Sequence, residues 1–201
     1  AFVAALAGYY DEKGTEKEIS HQRAINLIAK VPTIIASWER VRNEKEPIKP
    51  DSNLSHAANF LYMLTGERPD KEMERVFDVC LILHADHTFN ASTFAAREVA
   101  STRAHMYSAV SAAVGALSGE LHGGANFEVM KMLLDIEEES NVENWVKEKI
   151  ENGDRIMGMG HAVYKTVDPR SMVLKELSKK LSEKTGLPWF SITKKVEETT
   201  A

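Results

Sequence analysis

Histidine is the side chain whose proton moves most readily near neutral pH, and two of the seven histidines lie in glycine-rich stretches. His122 stands in Leu121-His122-Gly123-Gly124-Ala125-Asn126, and His161 stands in Gly158-Met159-Gly160-His161-Ala162-Val163-Tyr164-Lys165. Glycines here permit positive φ and a close approach of the main chain, so the imidazoles can be aimed by the backbone rather than by packing alone. The second stretch runs on into Asp168-Pro169-Arg170. It brings a histidine, Lys165 and Arg170 toward a helix start, a combination suited to a multiply anionic ligand. Read as residues alone, the two stretches fit an enzyme for an anionic substrate or a module that binds one, and either stretch taken singly is compatible with a simple turn.

The remaining histidines carry less. His84 and His87 are three apart at the end of an apolar helical pattern and share a face. That spacing suits two metal ligands, yet no second cluster at ligand spacing completes a site, so no metal is expected. His21, His56 and His105 sit inside helical patterns and read as structural or surface residues.

These stretches need elements to hold them. Only 11 glycines and 6 prolines occur in 201 residues, and the pattern is helical throughout. A helix ends near Asp11, and a long one runs from about Thr15 to Val41 with Ile25, Ile28, Val31, Ile35 and Trp38 on one face, expected to be buried, and a bend at Pro32. Asp51 or Ser52 caps the next helix, which Thr65-Gly66 ends, and Asp70 caps one from Lys71 to about His87. Helices follow at Ala91 to Ser101, Arg103 to Leu117, about Asn126 to Glu138 and Val142 to Asn152. The alanines and serines of the second of these, around Ala109, Ala112, Ala113 and Ala116, mark a central helix that another backbone approaches closely. After the irregular stretch from Gly153, Asp168 as N-cap and Pro169 at the first position open another helix.

Composition narrows the class. Lys plus Arg number 25 against 30 Asp plus Glu, a net charge of -5, which offers no excess of cations for a phosphate backbone; nucleic acid is not an expected partner. Cys80 is the single cysteine, and no signal-peptide pattern opens the chain, so a reducing cytoplasm is the expected compartment. The longest uncharged run, Ala104 to Gly119 apart from its histidine, is shorter than the ~20 apolar residues that span a bilayer. No membrane association is expected. The chain opens on Ala1-Phe2-Val3 inside an apolar helical pattern and closes on Glu-Thr-Thr-Ala, and the expectation is a piece of a longer protein.

Three blocks in this order resemble the citrate synthase family: Leu83-His84-Ala85-Asp86-His87 with Asn90-Ala91-Ser92-Thr93; Ser118-Gly119-Glu120-Leu121-His122-Gly123-Gly124-Ala125-Asn126; and Gly158 through His161 to Asp168-Pro169-Arg170. The similarity extends through connecting helices, including Leu27-Ile28-Ala29-Lys30-Val31-Pro32, and covers essentially the whole chain. Met159 stands where the family more often has an aromatic residue. The resemblance implies an all-α, multi-helical homodimer in which a large domain, here residues 1–125, and a small domain, here residues 126–201, enclose the substrates.

The implied reaction condenses acetyl-coenzyme A with oxaloacetate and hydrolyses citryl-coenzyme A, with the thioester as substrate and no cofactor. His122 matches the donor to the thioester enolate oxygen, and His161 matches the residue that polarises the ketone of oxaloacetate. His87 and Arg170 match positions that hold oxaloacetate. Lys165 matches a basic position near the coenzyme A phosphates, and the main chain from Ile156 to Gly160, with Gly158 and Gly160, matches the segment that holds the adenine. The family's aspartate base and later arginines match no position here, so residues 1–201 alone are expected to be inactive and to associate. The alternatives are a 2-methylcitrate synthase that uses propionyl-coenzyme A and a non-catalytic helical scaffold whose histidines are structural.

Overall fold

The computed structural model describes residues 2–6, 13–86, 88–159 and 168–200. They are all-α: α-helices joined by turns, with no strand among the described residues. By internal packing the chain forms two compact units, residues 1–117 and 118–201, which places the Ser118 to Gly123 turn in the second unit. Among the described residues no helix is long and apolar enough to cross a membrane.

The first unit holds α1 (Phe2–Ala5), α2 (Glu16–Arg42), α3 (His56–Thr65), α4 (Lys71–His84), α5 (Ala91–Ser101) and α6 (Met106–Leu117). Thr15 and Glu18 open α2 with a reciprocal capping box. The helix continues through Pro32, whose missing N–H leaves the Ile28 carbonyl without its helical donor. Its end is tied down by Arg40, which donates to Glu46 O at 2.6 Å and to Leu64 O at 3.5 Å. Ser55 caps α3 instead of the expected Asp51 or Ser52. Asp51 is engaged elsewhere, accepting from Asn53 N at 2.9 Å and pairing with Arg68. Asp70 caps α4 as its sequence predicts, accepting from Glu72 N and Met73 N at 3.0 Å. Phe60 and Phe77 stack at 5.0 Å between α3 and α4.

Two further expectations are overturned in this unit. The stripe of α2 that the 3.6-residue period marks as a buried face is solvent-facing at Ile25, Ile28, Ile35 and Trp38, with Ile28 65% exposed. The buried side chains of α2 are Leu27 and Ala36, and the helix packs on α3 and α6. Helix α6 begins at Met106 rather than Arg103, because Arg103 takes a left-handed φ of 60° that a helix cannot continue. It is only partly enclosed. Tyr107 and Ala109 are buried, while Val114 and Leu117 face solvent and Gly115 has open space where a Cβ would sit.

The second unit holds α7 (Gly124–Ile136), α8 (Val142–Asn152), α9 (Pro169–Thr185) and α10 (Trp189–Thr200), with a 3-10 turn at Glu139–Asn141. Its core joins Met132, Leu133 and Ile136 of α7 to Val142 and Val146 of α8 and Ile192 and Val196 of α10. Each such side chain removed from water contributes about 1.5–3 kcal/mol. Helix α10 packs on α7, α8 and α9 and is the element the sequence reading passed over. Pro188 followed by Trp189, Ile192 and Val196 at spacings of three and four was its available signal.

Candidate functional site

The turn carrying His122 is closed by one carbonyl. Gly119 O accepts from His122 N at 3.0 Å and from Gly124 N at 3.1 Å, and His122 O then accepts from Ala125 N at 3.3 Å as α7 begins. A Cβ on Gly124 would lie 2.9 Å from Gly119 O, a distance real Cβ atoms do not tolerate, so only glycine closes this turn. Gly123 supplies no side-chain cap to α7. The half-buried imidazole of His122 therefore stands at the opening of α7 on a backbone held from both sides. An imidazole N–H carried on such a backbone can donate to an oxygen on which negative charge develops.

The second glycine-rich stretch is anchored to the same helix. Ile156 and Met157 pack against the unit's core together with Val129 and Trp145. Gly158 then turns with φ +84°, and a Cβ there would press to 3.2 Å on Val129 Cγ2. Val129 lies five residues after Gly124, about 7.5 Å along the α7 axis. Two motifs far apart in sequence thus meet the first turns of one helix. Nothing local in the sequence marks Val129 as the support. Gly160, His161 and Lys165, expected in this site, lie outside the described residues, as does His87.

Arg170 sits in the first turn of α9. Asp168 caps that helix through Oδ1, which accepts from Arg170 N at 2.9 Å, and Pro169 occupies the first helical position, as expected. The same carboxylate grips the Arg170 side chain: Nε donates to Oδ1 at 3.1 Å and to Oδ2 at 3.2 Å, and Nη2 donates to Oδ2 at 2.7 Å. Sequence reading assigned Asp168 the cap and missed the grip, for which an Asp two residues before an Arg was the available sign.

His84 and His105 make local contacts. The His84 ring lies against its own helix, with Nδ1 2.6 Å from Cys80 O. His105 stacks on Tyr107 at 4.9 Å and accepts from Tyr107 N at 3.4 Å. Among the described residues no three His, Cys, Asp or Glu side chains are grouped to hold a metal ion. Burial pushes the Cys80 thiol up from its ordinary value, which favours the protonated form.

The family model described as citrate synthase, C-terminal domain, matches residues 1–201. The chain belongs to the citrate synthase family. It is 42% identical to a citrate synthase of Haloferax volcanii over 98% of this chain and 53% of that one. It is 43% identical to a citrate/2-methylcitrate synthase of Bacillus subtilis over 92% of this chain and 50% of that one. A solved structure of citrate synthase from Thermoplasma acidophilum, a ternary complex with carboxymethyl coenzyme A and oxaloacetate, superposes with a TM-score of 0.87 at 34% identity over 98% of this chain and 52% of that one. The chain spans about half the length of the relatives it matches.

Proposed function

We propose that the protein carrying this chain is a citrate synthase, joining the methyl carbon of acetyl-coenzyme A to the ketone carbon of oxaloacetate and hydrolysing the citryl thioester. The observation that carries the reading is that the His122 turn opens α7 and the Gly158 turn packs on Val129 of the same helix. The named relatives support it, among them the Thermoplasma acidophilum enzyme solved with oxaloacetate and a coenzyme A analogue.

The chemistry asks for these residue types. A thioester methyl is too weakly acidic to lose its proton at neutral pH unless the enolate oxygen receives a hydrogen bond as the proton leaves. His122 supplies that donor. His161 donates to the ketone oxygen of oxaloacetate and protonates the alkoxide as the new carbon–carbon bond forms. Arg170 and His87 hold oxaloacetate, the guanidinium through its planar two-pronged edge. Lys165 meets coenzyme A phosphate, and the main chain around Gly158 and Gly160 holds the adenine. The methyl proton goes to a carboxylate base that matches no position in residues 1–201. Residues 1–125 serve the large domain and residues 126–201 the small one. The enzyme works as a homodimer in the cytoplasm; the solvent-facing apolar stripe of α2 and the open position at Gly115 of α6 are suited to a two-fold contact.

Acetyl-coenzyme A is the expected acyl donor. The Bacillus subtilis relative named citrate/2-methylcitrate synthase supports a second reading with propionyl-coenzyme A, since one methylene in an apolar pocket is worth only about 1–3 kcal/mol. Thiol release from each acyl-coenzyme A with oxaloacetate, measured on the complete gene product, separates the two. His122→Ala is expected to lower kcat by about 10²–10³-fold with the fold intact. Unchanged kcat would remove His122 from the mechanism.

A further inference from the structure

Asp168 uses one carboxylate for two tasks. Oδ1 caps α9 through the Arg170 backbone N–H, and both oxygens take the Nε and Nη2 edge of the Arg170 side chain. The bonds run between neighbours separated only by Pro169, whose ring fixes one backbone dihedral and leaves the link few ways to flex. Each of the two side chains keeps only about a quarter of its surface in water, at 25% and 24%, so the pairing is less screened than an ordinary surface contact.

An arginine on a flexible stem must give up rotamer freedom before it can meet a carboxylate in two-pronged register. Here the backbone and side-chain bonds from one acid fix both where the guanidinium sits and how its plane is turned. A helix cap would need only the backbone bond. The three additional side-chain bonds are what a positioning role requires.

We propose that Asp168 is a positioning residue for the substrate-holding Arg170, setting the guanidinium in place before oxaloacetate arrives; this rests on the reading of Arg170 given above. The gain is orientation rather than charge, because the carboxylate offsets part of the positive potential. Asp168 therefore governs oxaloacetate binding and not the acyl-coenzyme A side.

The test compares Asp168→Asn, Arg170→Gln and the double variant in the complete gene product. Asparagine caps a helix as well as aspartate does, so Asp168→Asn keeps α9 and loses the charged grip. The expected result is a KM for oxaloacetate raised about tenfold, with kcat and the KM for acetyl-coenzyme A within about twofold and the thermal midpoint unmoved. Arg170→Gln raises the oxaloacetate KM at least as far, and the double variant is no worse than Arg170→Gln alone. Quenching of tryptophan fluorescence by oxaloacetate alone gives the same ranking without turnover. An unchanged or lower oxaloacetate KM in Asp168→Asn, beside a raised one in Arg170→Gln, overturns the positioning role and leaves the function standing. Loss of thermal midpoint together with effects on both substrates reduces Asp168 to a cap and also overturns it. If Arg170→Gln itself leaves the oxaloacetate KM unchanged, the assignment of Arg170 fails and the proposal fails with it.

Discussion

Residues 118–201 close a core of branched and long side chains, in which Ile136, Val142, Ile192 and Val196 retain no accessible surface, while among the described residues of 1–117 half of the buried positions are alanine. In the first unit Ala36, Ala57, Ala58 and Ala109 are buried beside Leu27, Met63, Val76 and Tyr107, while the large apolar residues Ile28, Ile35 and Trp38 face solvent. Helices α7, α8 and α10 of the second unit send their buried apolar residues to one centre. In the first unit the longest helix turns its stripe outward. A helical unit of the second kind carries its stability within its own residues, whereas one of the first kind presents a surface that is stabilised only when something covers it.

Paired truncations test that contrast. In the 201-residue chain Ile192→Ala is expected to cost about 2–5 kcal/mol, the transfer loss plus a cavity under α7 and α8. Ile28→Ala is expected to cost less than about 0.5 kcal/mol, because its side chain is already in water. Urea unfolding at two protein concentrations measures both. A cost for Ile28→Ala that approaches that of Ile192→Ala would break the comparison by showing the α2 stripe covered, and a dependence of that cost on concentration would show it covered by a second copy.

A smaller contrast lies in two glycines. Gly124→Ala forces a methyl against Gly119 O in the His122 turn and is expected to cost about 1–3 kcal/mol. Gly115→Ala, inside α6 with open space around it, is expected to stabilise by about 0.5–1 kcal/mol because alanine loses less entropy in a helix. Thermal unfolding of the two variants checks the signs. A destabilising Gly115→Ala would mean that a backbone approaches α6 there.

Helices were legible where apolar period and cap chemistry agree, as at Asp70 and at Asp168-Pro169. Period alone marked the α2 stripe and could not say whether anything packs on it, since burial depends on what other elements bring to that face. Ser55 took the cap expected of Asp51 or Ser52 because Asp51 found partners in Asn53 and Arg68, a competition that spacing does not reveal. The motifs around His122 and Gly158 stood out as residue types. Their meeting on α7 did not, because Val129 is an ordinary helix residue whose role comes from a contact distant in sequence. Arg103 in a left-handed conformation shortens α6 for a local reason: it closes the end of α5, its N–H donating to Ala100 O at 2.9 Å.

The smallest expected effect is electrostatic, and it too separates the units. In residues 1–117 the depressed carboxyls are held mostly by close neighbours in the chain: Glu18 by Thr15, Glu39 by Arg42 and Asp51 by the Asn53 N–H. In residues 118–201 Glu143 of α8 is held below its ordinary value of 4.5 by Lys195 of α10, which donates to it at 2.5 Å and is itself raised above its ordinary 10.5. A carboxyl with a lowered folded value adds stability that is fully present above 4.5 and lost as pH falls through the folded value; the raised lysine adds stability present below 10.5 and lost as pH rises through its own. Both groups are reached by water, so the gain is small and screened. Glu143→Gln is therefore expected to lower the urea midpoint slightly at about pH 7, with the gap from the parent chain closing as the pH is taken from about 5 to about 3 and shrinking in roughly 1 M salt. A gap that persists at the acid end would assign the loss to the packing of the Glu143 stem between α8 and α10 instead of to its charge.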